Sequence, residues 1–126
     1  MNPHDVAAAG VRPVATVADI GAASAEVKSV ACGPEVQGYI VSIVRATRDA
    51  PSVSLGVSPR GATALLHASK AWAWLGDRPF VTPDDVKAMA KACFRHRLQL
   101  RPEVELEGGN PDGILDGILA TVPVPR

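Results

Sequence analysis

Residues 35–48 read EVQGYIVSIVRATR. Val36, Tyr39, Ile40, Ile43, Val44 and Thr47 recur at i, i+3, i+4, i+7, i+8 and i+11, while Glu35, Gln37, Ser42, Arg45 and Arg48 take the remaining places. A 3.6-residue period puts the first set on one stripe and the second on the opposite face, so the segment is an amphipathic helix whose apolar side must pack on something. The helical spacing of Tyr39 and Ile43 fits core packing. Arg45 and Arg48 fall on the polar side, facing solvent, a partner domain or a neighbouring subunit.

The same reading extends in both directions. Upstream, Thr16 and Asp19 have capping-box spacing, and Val17, Ile20, Ser24, Val27 and Ala31 predict a helix over 17–29. Residues 1–15 carry Pro3, Gly10 and Pro13 without periodicity and are expected to form a poorly ordered N-terminal linker, leaving 16–126 as the helical domain. Downstream, Pro51 and Gly56 make 49–57 a loop with room for one short extended stretch. A helix over 59–75 places Leu65, Leu66, Ser69, Trp72 and Ala73 on one face and stops at Gly76. Trp72 and Trp74, two positions apart, point in nearly opposite directions, so one is expected in the core and the other half exposed. Val86, Met89, Ala90, Cys93 and Phe94 predict a helix over 83–97. Residues 98–102 read as extended and 103–109 as acidic and irregular. A last short helix is built on Ile114, Leu115, Ile118 and Leu119. The expected fold class is all-α, a small bundle of about five helices.

Composition agrees with one small domain. The chain has 126 residues, 47% of them apolar but only five aromatic, so the core is made of small and branched aliphatics. Thirteen Lys and Arg balance 13 Asp and Glu, giving no net charge and none of the basic excess of a non-specific nucleic-acid binder. Cys32 and Cys93 form no CxxC, and His4, His67 and His96 form no HxxxH, so no metal site or disulfide framework is expected. His67 and His96 read as ordinary, partly exposed side chains. No run approaches a membrane span and no signal peptide is legible, which points to a cytoplasmic chain with reduced thiols.

Four helix starts place a residue before proline: Gly33-Pro34, Ser58-Pro59, Thr82-Pro83 and Asn110-Pro111. Proline suits the first helical position because its missing N–H would be unbonded there anyway. Three of these turns continue with an acid, as the positive helix end prefers. The exception is Ser58-Pro59-Arg60-Gly61, where a cation at the second position costs from a few tenths to about 1 kcal/mol. Stability does not explain Arg60. An arginine beside free N–H groups and a glycine that admits close approach is a place to hold an anion; the alternative is an exposed arginine tolerated by a stable helix.

The stretch from Tyr39 to Leu100 resembles the C-terminal helical lid of MoxR-type AAA+ ATPases, through its VRATR, LGVSPRG and VTPDDV segments in that order. The resemblance implies that Arg60 is the sensor 2 arginine, which reaches the phosphates of ATP on a separate α/β core, with Ser58 and Gly61 beside it at the nucleotide; it also opens, beside core packing, a place for Tyr39 and Ile43 in the adenine-side wall. It also implies ATP and Mg in the intact protein, a homo-oligomeric ring, chaperone-like maturation of other proteins, and partners with von Willebrand factor A domains. The 126 residues contain no GxxxxGK[ST] and no acidic magnesium motif, so they are expected not to hydrolyse ATP alone and to need no cofactor by themselves. The competing reading is a small helical DNA-binding or protein-adaptor module, against which the neutral charge and the Ala- and Trp-rich helix count.

Overall fold

The computed structural model describes residues 2–126. Six helices and one two-stranded ribbon follow in the order α1 (Val17–Ser29), α2 (Pro34–Asp49), β1 (Val53–Leu55), α3 (Pro59–Leu75), α4 (Pro83–Phe94), β2 (Gln99–Leu100), α5 (Pro102–Leu106) and α6 (Pro111–Thr121). The all-α reading holds.

Local chemistry sets the helix boundaries. Thr16 and Asp19 form a reciprocal capping box at α1, Thr82 and Asp85 another at α4, and Asn110 accepts from the Gly113 N–H at α6. Proline occupies the first turn of five helices, including α5, where it follows Arg101. α3 ends at Gly76, whose N–H returns to the Trp72 carbonyl while the Asp77 N–H returns to that of Trp74, but the left-handed residue is Asp77, at φ 57°. Aspartate is among the few side chains that tolerate that region.

α3 and α4 make the most extensive helix–helix contact, and α6 packs on both α2 and α4. Ile43, Val57, Leu65, Val86, Phe94 and Leu115 are fully buried between them, and the small side chains of Ala73 and Ala90 let the helices approach closely. The ribbon is antiparallel, with Val53 opposite Leu100 and Leu55 opposite Gln99 across an irregular step. It is fastened at its edge by Arg101, whose main-chain N–H donates to Ser52 and whose Nε donates to the Pro51 carbonyl at 2.7 Å. A single parallel bridge joins Ala31 to Phe80.

Three expectations need correction. Residues 103–109 are not irregular throughout: 102–106 form α5, which Gly108 ends at φ +88°. The fourth helix stops at Phe94, and 95–97 form a turn in which the Arg97 N–H returns to the Phe94 carbonyl. Trp72 does not join the α3 core stripe; it is 44% exposed, whereas Trp74 is partly buried and donates its indole N–H to Glu26 at 2.7 Å. α1 forms where its spacing predicts, yet none of its residues is buried and Val17 and Ile20 face solvent. Of the 1–15 segment, Met1 lies outside the described residues; 2–15 are exposed and contain several main-chain turns. Among the described residues, no helix is long and apolar enough to cross a membrane.

Candidate functional site

The first turn of α3 is fixed from behind by a buried hydroxyl. Thr47, fully buried on α2, donates to the Val44 carbonyl at 2.6 Å and accepts the Val57 N–H at 3.0 Å, so the end of α2 sets where the chain enters α3. Gly56 makes this approach possible: a Cβ there would stand 2.6 Å from the Arg48 Cα. Val57 then enters the core, and Ser58 turns the chain into the helix with φ −79° and ψ 166°.

The Ser58 side chain caps nothing, and no acid lies in this turn. Its carbonyl accepts the N–H groups of Gly61 and Ala62, at 2.9 and 3.3 Å. Pro59 has no N–H, so the Arg60 N–H is the outward donor of the turn. Arg60 is exposed. Among the described residues the salt bridges are Arg78–Asp85, Lys91–Asp116 and Arg95–Asp112, so Arg60 has no carboxylate partner. A cation, an uncapped positive helix end and a free donor therefore occur together.

Gly61 has a packing reason of its own. A Cβ on it would stand 2.3 Å from Val57 Cγ1, 3.5 Å from Arg97 Cδ and 3.7 Å from Phe94 Cε1. The glycine leaves room for the Val57 side chain to fold back on the first turn of α3, and it is buried.

The other residues singled out in the sequence scatter. Tyr39 and Ile43 are core residues, at 3% and 0% exposure. The Tyr39 hydroxyl is buried without a partner, and burial first, then the charge of Asp84, raises its pKa. Arg45 and Arg48 are exposed on α2, and the Arg48 backbone borders the loop that leads into α3. His67 and His96 are exposed. Cys32 and Cys93 are free and partly buried, and burial raises both thiol pKa values. A shallow groove between α2 and α3, lined by Ile40, Val41, Thr63 and Leu66, opens beside the second turn of α3.

Two features are additional to the residues the sequence reading singled out. Arg78 and Asp85 form a bidentate pair at the α3–α4 turn; the legible signal was the capping-box spacing from Thr82 to Asp85. Arg97 lies against Gly61 from a distance of 36 residues in the chain, which no local pattern reveals.

The AAA lid domain family model matches residues 45–118, from the middle of α2 into α6. The chain belongs to this family. It is the lid domain of a MoxR-like AAA+ ATPase. It is similar to the protein YeaC of Bacillus subtilis, 41% identical over 115 residues that cover 91% of this chain and 36% of that protein. It is also similar to the protein MoxR of Paracoccus denitrificans, 35% identical over 107 residues that cover 73% of this chain and 31% of MoxR. A solved structure of a candidate ATPase from Cytophaga hutchinsonii superposes with a TM-score of 0.77 at 30% identity, over 81% of this chain and 34% of that one. The lid thus spans about a third of the length of the relatives it matches. Within the lid, the matched span includes the first turn of α3 and leaves α1 outside.

Proposed function

We propose that this lid closes over ATP bound to a separate P-loop core, with Arg60 as the sensor 2 arginine that meets the γ-phosphate. The observation that carries the reading is the exposed, acid-free first turn of α3, where Arg60 stands without a carboxylate partner on the positive end of a 17-residue helix. Such a turn is electrostatically unbalanced until an anion arrives. Ser58, with no cap to make, and the Arg60 N–H border the same anion. The core supplies the phosphate cradle and Mg; the lid supplies a guanidinium to the charge that grows on the transferred phosphoryl group.

In this reading hydrolysis is converted into rotation of the lid against its core in a homo-oligomeric ring. The motion drives chaperone-like remodelling or maturation of partner proteins, von Willebrand factor A domain proteins among them. The working location is the cytoplasm, with no nucleic acid involved, and residues 1–15 act as the linker into the lid. Arg45 and Arg48, exposed on α2 near the entrance to α3, are the side chains placed to meet the core or the neighbouring subunit.

Arg60→Ala separates the roles. It removes a cation from a positive helix end, so thermal melting of the 126-residue lid is expected unchanged or raised, by at most about 1 kcal/mol. Steady-state turnover of the ATPase carrying this lid is expected to fall about 10-fold or more. Unfolding of the lid would make the arginine structural; full turnover would remove it from the reaction.

A further inference from the structure

We infer that Thr47 is a positioning residue for Arg60, its buried hydroxyl fixing the main-chain turn from which the guanidinium extends; this deepens the reading of Arg60 and rests on it. Arg60 lacks the usual means of being held. It is exposed, it has no carboxylate partner among the described residues, and the N-cap of its helix makes no side-chain bond. Where a group acts on a reacting phosphate, a displacement of about 1 Å can cost about 100-fold in rate, so the backbone that carries it must be fixed by something else.

Three other helices are fixed at their starts by their own N-cap side chains: Thr16, Thr82 and Asn110 accept the N–H groups of Asp19, Asp85 and Gly113. Ser58 is a residue of the same capping type, yet its hydroxyl makes no such bond. At α3 the hold comes from the core side instead. Thr47, on the last turn of α2, donates to the Val44 carbonyl at 2.6 Å and accepts the Val57 N–H at 3.0 Å, and both bonds are buried. A hydroxyl engaged as donor and acceptor at once has one direction, and so does the amide that it holds. Val57 passes that position on by two routes. Along the chain it leads through Ser58 and Pro59 to Arg60, and the fixed φ of proline makes the step stiff. Through space its Cγ1 lies against Gly61, where a Cβ would stand only 2.3 Å away. The main chain of Arg60 is therefore located from both sides by Val57, and Val57 by Thr47. Because the turn is held from behind, the Ser58 hydroxyl and the Arg60 N–H keep no partner within the lid.

The test uses the ATPase that carries this lid together with its core, at a temperature where every lid variant is folded, and reads kcat and KM for ATP separately. Thr47→Val keeps the shape of the side chain and removes both bonds; kcat is expected to fall about 5-fold while KM stays within about 2-fold, because the loss falls on the transition state. Thr47→Ser keeps the hydroxyl and gives up a buried methyl, so it is expected to restore more than about half of kcat although its lid melts lower than wild type. In the double variant of Thr47→Val with Arg60→Ala, kcat is expected to match Arg60→Ala alone, since nothing is left to position. Wild-type kcat in Thr47→Val, with turnover still lost in Arg60→Ala, overturns the inference and leaves the Arg60 reading standing. Full turnover in Arg60→Ala removes that reading and the inference with it. Losses that multiply in the double variant mean that Thr47 acts by another route, which also overturns it. If Thr47→Ser loses as much kcat as Thr47→Val, or if no temperature leaves the Thr47→Val lid folded, the hydroxyl serves the fold alone and the inference fails.

Discussion

Arg78 holds both carboxylate oxygens of Asp85 while Asp85 also accepts the Thr82 N–H at 2.8 Å, so one buried acid ties the α3–α4 turn to the first turn of α4. Burial by itself would raise the Asp85 pKa; the Arg78 and Thr82 hydrogen bonds outweigh it and hold the carboxyl below its ordinary range. A depressed folded-state pKa contributes stability that is present above the unfolded value of about 3.9 and is lost as pH falls through the folded value. The lid is therefore expected to lose stability below about pH 4. Arg78→Ala should cost about 2–4 kcal/mol at neutral pH, because it leaves a buried charge with only its cap partners. Denaturant melts at pH 7 and pH 3 check both statements; an equal loss at both pH values would separate Arg78 from the titration.

Two glycines in helices should respond in opposite senses to alanine. Gly61→Ala gains helix propensity but drives a methyl into Val57, and is expected to destabilise by about 1–3 kcal/mol. Gly117→Ala, on α6 with nothing within 4 Å of the new methyl, should stabilise by about 0.5–1 kcal/mol. Thermal melting of the pair decides whether Val57 packs as closely on the first turn of α3 as described.

Phe94 is fully buried and Met89 only partly so, although both lie on the periodic stripe of α4. Phe94→Ala is expected to cost about 3–5 kcal/mol, and Met89→Ala about 1–2 kcal/mol. Equal losses in urea melts would mean that Met89 is as deep as Phe94.

Both thiols titrate above the ordinary cysteine value because they are partly desolvated. Less thiolate forms at pH 8, so iodoacetamide should alkylate the folded lid at least about 5-fold more slowly than the urea-unfolded chain. Mass spectrometry after timed quenching follows the two sites; equal rates in both states would place the thiols in open solvent.

Much of the fold was legible because proline and caps punctuate it. α1 and α3 begin and end where their spacing places them, Val17–Ser29 and Pro59–Leu75. α5 was missed because five residues carry too little periodicity to detect, and its proline follows Arg101, which is not a capping residue. Trp72 was misplaced because periodicity defines a stripe but not its centre; the tight α3–α4 approach selects Ala73 for the middle and leaves the larger indole at the edge. Arg60 could be singled out because it breaks a local electrostatic rule. Arg97 breaks none, and becomes visible only when Gly61 is found beneath it. Gly61 itself was read as an opening for an anion, but a buried glycine between two helices is chemically identical in sequence to one lining a site.

α1 covers α3 without burying a single one of its own 13 residues, and Trp74 with Glu26 gives it one side-chain hydrogen bond across that contact. A helix attached this lightly opens without the rest of the molecule. Its amides should exchange with deuterium through local detachment at a rate insensitive to Phe94→Ala, whereas those of α3 and α4 should exchange only through global unfolding and accelerate with that substitution. The lid is thus expected to behave as two cooperative units of unequal depth, with α1 as the one that lets go first.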